Sequence, residues 1–566
     1  AWKRQLPAHV AKMFEEEVVV PVSTADSLWL ARDLARLIDD VETEQTDWAK
    51  LASLVSEDYA GWWQVTLKFL EIVTDFWPRR LAERGQSNPA AHRNALIAFE
   101  AERLRRSPPG GPVIAAGSTG SIPATAALLS VIARLPSGAV VLPGLDCGMA
   151  DASWAEIARE KPEPPTVGHP QYGLARLMKK LRVERGDIIE LGAVDKRLSV
   201  RARLIGDALR PSETTDAWLE SRARADEPDV TAAFSGVALV EAANERDEAL
   251  AIAIALRRAV IEPGKTAALV TGDRNLARRV SSELLRFGVR ADDSGGAPLI
   301  ATPAASLLQL MTRAVAEPGD PVVLLAALKH PLLRLGLDRA AARAAAEIVE
   351  LVALRGGTGR PDIATLSEHF ESRLAGLAGD RHAPRWFDRL TPASIAAVRD
   401  FLARLRKALT PCLALREQRS VLLAEQIRAT VNAFEALGRD EQDSVAELYA
   451  HDAGGKLAEF LRGLVGATAP FDFAPAEWPD VLEALIAAET VKPKAGADRR
   501  ISIWGALEAR LQTVDTLVLG GLNEGSWPRK AESDRFLSRF MRAGIDLDPP
   551  ERQIGLAAHD FEMAMG

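Results

Sequence analysis

The sequence predicts an α/β protein whose parallel sheets are interrupted by large helical blocks. Short apolar runs alternate with amphipathic helical stretches over Pro112–Asp146 and Gly236–Asp293, and strand character returns over Arg499–Pro528. The remaining long stretches show helical spacing alone. At roughly 100 to 200 residues per domain, 566 residues imply several domains rather than one core. With 47% apolar and 26% charged residues the composition is that of a folded chain without a disorder signature. No apolar run approaches the roughly 18 residues that span a bilayer, and the first residues, AWKRQLPAHV, do not read as a secretion signal. Cys147 and Cys412 are the only two cysteines, which excludes a disulfide framework or a four-thiolate metal site and makes a reducing cytoplasm the expected compartment. A formal charge of −8 argues against a domain that holds nucleic acid by bulk electrostatics and leaves local patches open.

Residues 1–110 read as a helical domain, from the spacing in Ser27–Val41 and Tyr59–Trp77, with Trp29, Trp48, Trp62, Trp63 and Trp77 expected in its core. Over 111–228 the run Val113–Ala116, a Gly/Ser loop, a helix opening near Pro123 and the run Ala139–Leu142 predict a strand–helix–strand unit with parallel strands and a right-handed crossover. Further helices are expected after it, among them His169–Leu181. A second α/β domain takes 229–314 and 491–566. Its expected elements are a strand in GVALVEA (Gly236–Ala242), a helix from Asn244, a strand in TAALVTG (Thr266–Gly272), a helix from Arg274 and the short run Val289–Asp293. The helical stretch 315–490, with loops such as Arg355–Pro361, then reads as an insertion, so that its flanking strands share one sheet.

Gly264-Lys265-Thr266 has the letters that end a phosphate-binding loop, but Ala259 stands where its first glycine belongs. The tripeptide also follows a helix and precedes a strand, the reverse of the order that loop needs, so it reads as a turn. Gly117-Ser118-Thr119-Gly120-Ser121 has the right order, strand before and helix after, without a lysine. Gly117, Ser118, Thr119 and Gly120 are therefore candidate phosphate or DNA-backbone contacts, and a tight connection is the alternative. His559-Asp560 is too short a motif to carry a role, and neither an HExxH helix nor a GxSxG elbow is present. No catalytic residue or metal ligand is assigned.

The most specific segment is Val514–Pro528, VDTLVLGGLNEGSWP, an apolar strand ending in Gly521-x-x-Glu524-Gly525-x-x-Pro528. It resembles the strand and loop in the second motor domain of UvrD-type superfamily 1 helicases and their inactive relatives. Together with AAGSTGSIPATAALL, VVLPGLD, HPQYGL, RNLARRVSSELLRFGVRADDSGGAPL and PPERQIGLAAHDF, the chain resembles, over nearly its whole length, the alphaproteobacterial type of AddB, the smaller subunit of the AddAB helicase–nuclease. The resemblance implies RecA-like parallel sheets. Residues 1–110 would correspond to accessory domain 1B, 111–228 to the rest of domain 1A, 229–314 with 491–566 to domain 2A and 315–490 to domain 2B. It further implies an inactivated motor. The expected setting is double-strand break repair and homologous recombination in a bacterial cytoplasm, with an AddA-type subunit and single- and double-stranded DNA as partners and no membrane. ATP and an iron–sulfur cluster are implied for the complete complex and not for this chain, which reads as a piece lacking the family's N-terminal nucleotide loop and C-terminal nuclease domain. Where such helicases place a phosphate-contacting arginine, Gly272 stands, with Arg274 nearby. An active ATP-dependent helicase is the alternative.

In that setting the loop Leu522–Lys530 is the expected DNA contact, with Asn523 and Ser526 as donors, Trp527 stacking on a base, and Arg529 and Lys530 supplying charge. The competing reading has Trp527-Pro528 pinning the loop onto its own domain.

Overall fold

The computed structural model describes residues 23–53, 69–160, 163–192, 194–224, 226–355, 361–467, 471–492, 497–532 and 535–566. Trp62 and Trp63, the first half of the predicted helix Tyr59–Trp77, and most of the loop Arg355–Pro361 lie outside them. The protein is mixed α/β, mostly helical, with parallel sheets. The chain divides into two compact units, one of residues 1–32 with 296–495 and one of residues 33–295 with 496–566. Among the described residues no helix is long and apolar enough to cross a membrane.

In the second unit, β1 (Val113–Ala116) and β2 (Gly138–Val141) form a parallel pair joined by helix α1 (Pro123–Ile132). Helix α2 (Tyr172–Leu181) packs on α1 through Leu129, Leu177 and Leu181. The larger sheet contains β3 (Ala267–Val270), β4 (Ala291–Asp293), β5 (Asp498–Trp504) and β6 (Thr516–Leu519) in the order β6-β3-β5-β4, all parallel. Strands on both sides of the stretch 315–490 thus pair in one sheet. Helices α3 (Glu245–Ala259) and α4 (Arg274–Arg286) supply Ile252, Ala253, Leu256, Val280 and Leu284 to a core shared with Leu269, Ile501 and Ile503. Every residue of β3 is buried, which is why Ala267–Val270 is an unbroken apolar run rather than an alternating one. Each helix starts at a side-chain cap, Asn244 accepting from the amides of Arg246 and Asp247, and Asp273 from those of Asn275 and Leu276.

One predicted strand is absent. Gly236–Ala242 joins no sheet, and Leu239 and Val240 are 83% and 71% exposed. An apolar run becomes a strand only where its N–H and C=O groups find ladder partners, and this run pairs with neither edge of the sheet. Nor are Trp29, Trp48 and Trp77 fully buried. Trp48 packs partly against Leu37, Val41 and Leu51, whereas Trp29 lies under the Arg32 guanidinium at 5.5 Å and Trp77 donates its indole N–H to Asn88 Oδ1 at 2.8 Å. Aromatic residues at helical spacing satisfied the core pattern, but their polar edges and cation partners hold two of them at the surface.

The first unit is helical around one core that includes Phe370, Phe401, Phe434 and Trp478. Its longest helix, Pro392–Arg416, packs against Leu423–Gly438. Strands do not vanish entirely here, since Val421–Leu422 pairs antiparallel with Asp472–Phe473, and Ala297–Pro298 with Thr490–Val491.

Truncating Leu256, which is fully buried, should destabilise the sheet-bearing unit by about 2–5 kcal/mol in urea unfolding, whereas Leu239→Ser should change it by less than about 0.5 kcal/mol. A comparable loss at Leu239 would place that segment in the core.

Candidate nucleic-acid interface

The carboxyl ends of β3 and β6 bring two loops together, Thr271–Asp273 and Gly520–Lys530. Gly521, at φ 74°, donates its amide to Glu248 Oε1 at 2.8 Å, and a β-carbon there would lie 3.4 Å from Thr271 Oγ1. The Asn523 carbonyl accepts from the amides of Ser526 and Trp527, closing the Asn523–Trp527 turn. Asn523 and Lys530 are exposed and Ser526 is half-buried. Arg529 is exposed but donates from Nη2 to the Gly272 carbonyl at 3.0 Å, bridging the two loops. Trp527 donates its indole N–H to the Ala557 carbonyl at 2.9 Å. That bond favours the pinning role over base stacking for Trp527, while Asn523, Ser526, Arg529 and Lys530 remain along one accessible rim. Glu248 went unnoticed in the sequence; its signal was an acidic first helical turn, read only as a helix start.

The other candidates resolve differently. Lys265 Nζ donates to Asp515 Oδ1 at 2.8 Å, while the amide and hydroxyl of Thr266 both donate to Asp515 Oδ2 at 2.9 Å. These bonds, the one from Lys265 first, lower the Asp515 carboxyl to about 2. The GKT turn therefore ties the starts of β3 and β6 together. In the loop after β1, β-carbons on Gly117 and Gly120 would lie 2.8 Å from Leu511 Cδ1 and 2.6 Å from Leu177 Cδ1, Thr119 is buried, and Ser118 Oγ accepts from the Gly120 amide. The glycines face apolar side chains, which favours the tight-connection reading. Arg274 donates to both carboxylate oxygens of Asp293 at 2.7 and 2.6 Å.

A second concentration of ionisable groups lies around helix α5 (Glu551–Met565). Burial, and then Arg510 and Arg552, push the buried His559 down to about 4, and Asp560 accepts from Arg510 Nε at 2.7 Å. Burial chiefly, opposed by the Gln171 hydrogen bond at 2.7 Å and reinforced by Asp146, raises Glu562 to about 7. Among the described residues no group of three or more His, Cys, Asp or Glu is arranged to hold a metal ion.

No protein-family model matches the chain, and no curated protein is significantly similar to it.

Glu562 makes a signed prediction. Its pKa is raised on folding, so its contribution to stability is fully present below about 4.5 and is lost as pH rises through about 7. The melting temperature of Glu562→Gln relative to the parent should rise between about pH 5 and 7 and then level off. A difference independent of pH would mean that Glu562 is ionised in the folded protein.

Proposed function

We propose that the chain is a helicase-like, catalytically inert scaffold of AddB type, holding DNA and an AddA-type motor during the processing of double-strand breaks in a bacterial cytoplasm. The observation that carries this reading is the Gly521–Lys530 loop, delivered by a parallel strand to the carboxyl rim of its sheet, the edge at which open α/β sheets bind ligands. Asn523, Ser526, Arg529 and Lys530 offer donors and positive charge there, suited to phosphate contact. RecA-like ancestry agrees with four parallel strands covered by helices and with a helical block that enters the sequence between two of them. Turnover of ATP needs a lysine in an amide cradle, a metal-holding carboxylate and an arginine converging on the phosphates. Lys265 and Arg274 are each engaged by an aspartate elsewhere, which supports the inert reading over an active helicase.

Two measurements test this. The purified chain should hydrolyse no ATP above background, with or without single-stranded DNA; turnover abolished by Lys265→Ala would move the active-helicase reading ahead. Arg529→Ala with Lys530→Ala should weaken single-strand binding and flatten its salt dependence by up to about 1.4 units of slope, with the melting temperature nearly unchanged. A lowered melting temperature with unaltered DNA affinity would assign the loop to structure alone.

A further inference from the structure

Away from the rim residues, the ends of α1 and α2 line an open groove of about 510 Å³ formed by Ser130, Arg134, Lys179, Lys180, Leu181 and Arg182. All four cations are exposed, and none forms an ion pair among the described residues. Their neighbours behave differently. One turn back on α2, Arg176 donates to both oxygens of Asp548 at 2.7 and 3.0 Å, and Arg185 pairs with Asp151. Asp548 and Asp151 are thus engaged by other arginines, Glu184 and Asp187 beyond Arg182 accept from backbone amides in the capping box of the short helix Arg185–Asp187, and no acidic side chain lines the groove.

Helix termini do not account for the charge. α1 and α2 both end here, and each carboxyl end offers roughly half a negative charge, so together they balance about one of the four cations. Arg182 caps α2 in the left-handed conformation at φ 59°, a position where glycine is the unstrained choice, so that even the cap carries positive charge. Arg134 is held by a hydrogen bond from Nη1 to Ser130 Oγ at 2.8 Å.

We infer that this groove binds the phosphodiester backbone of nucleic acid, independently of base sequence. The site is too open to enclose a small anion, and its excess charge is distributed over four side chains from two helices. Leu181 is its sole apolar lining residue and no aromatic ring lines it, so it offers charge without a base-stacking platform. The inference extends the DNA-binding reading of the rim loop to a second surface and rests on that reading.

The test compares three proteins by fluorescence anisotropy with labelled single- and double-stranded oligonucleotides of two unrelated sequences across a salt series. They are the parent, Arg134→Gln/Lys179→Gln/Lys180→Gln, and Arg529→Ala/Lys530→Ala. Glutamine keeps helix propensity, and Arg182 is left in place to preserve the cap. The groove variant should lose about tenfold or more in affinity at low salt for both sequences. Its slope of log K against log salt should fall by about two to three units, at roughly 0.7 per lost phosphate contact on single strands and 0.9 on duplex. An unchanged affinity and slope in the groove variant, with a weakened rim variant, would reject the groove and leave the rim reading standing. A parent that binds neither oligonucleotide at low salt would reject both. Poly-glutamate binding that matches DNA and is lost in the groove variant would instead make the groove a docking site for acidic polypeptide, overturning the nucleic-acid assignment.

Discussion

The sheet-bearing unit depends on β5 lying between β3 and β4, although residues 296–495 intervene in sequence before β5 begins. For that pairing to form, the long helical unit must return its two ends close together. Ala297–Pro298 pairs antiparallel with Thr490–Val491, and the Leu299 amide donates to the Glu489 carbonyl at 2.8 Å, so the ends are clasped within the helical unit itself. Loop closure grows only with the logarithm of loop length, so a block of this size adds little entropic cost beyond that of a short connection once its ends are held. Gly296 belongs to the clasp: a β-carbon there would lie 2.3 Å from the Val491 carbonyl oxygen, and its φ of 65° is one that other residues adopt with strain.

Once β5 is in place, β3 is buried on both faces and its neighbours fix the rim. The Arg529 guanidinium joins the two loops at the carboxyl ends by donating to the Gly272 carbonyl, and the Gly521 amide ties its loop to helix α3 by donating to the Glu248 carboxylate. At the opposite end of the same strands, Asp515 gathers Lys265 and Thr266. The strands are therefore tied at both ends by polar contacts while the middle is purely apolar. These bonds hold the rim backbone in place, and the polar side chains of Asn523 and Lys530 are exposed along it.

What the sequence revealed follows the physics of each signal. Fully buried parallel strands such as Ala267–Val270 announce themselves as unbroken apolar runs, and helices α3 and α4 through capping residues followed by a periodic apolar face. The GKT turn was legible because loop order is a local property. Gly236–Ala242 misled because its apolar run matches a strand, whereas pairing into the sheet depends on residues far away in sequence. The same limit applied at the site. The loop Gly521–Lys530 was visible, but the bond from Trp527 to Ala557 and the cap on Gly521 from Glu248 join positions far apart in sequence. The cations of the groove were equally hidden, since Arg134 and Lys179 meet only because α1 and α2 pack together.

Net charge is a poor guide to where a protein can meet a polyanion. With 70 basic and 78 acidic side chains, the chain as a whole repels DNA, and much of its arginine is neutralised in place: Arg334 by Glu441 and Glu447, Arg416 by Asp362, Arg510 by Asp560. At an ionic strength of about 0.1 M, charges beyond roughly 10 Å are screened, so an approaching phosphate responds to the local balance rather than to the total. Carboxylates placed against these arginines leave little unbalanced positive charge around them. On the proposed reading, nucleic acid would be held only where cations outnumber acids within a screening length, as they do in the groove of Arg134, Lys179, Lys180 and Arg182.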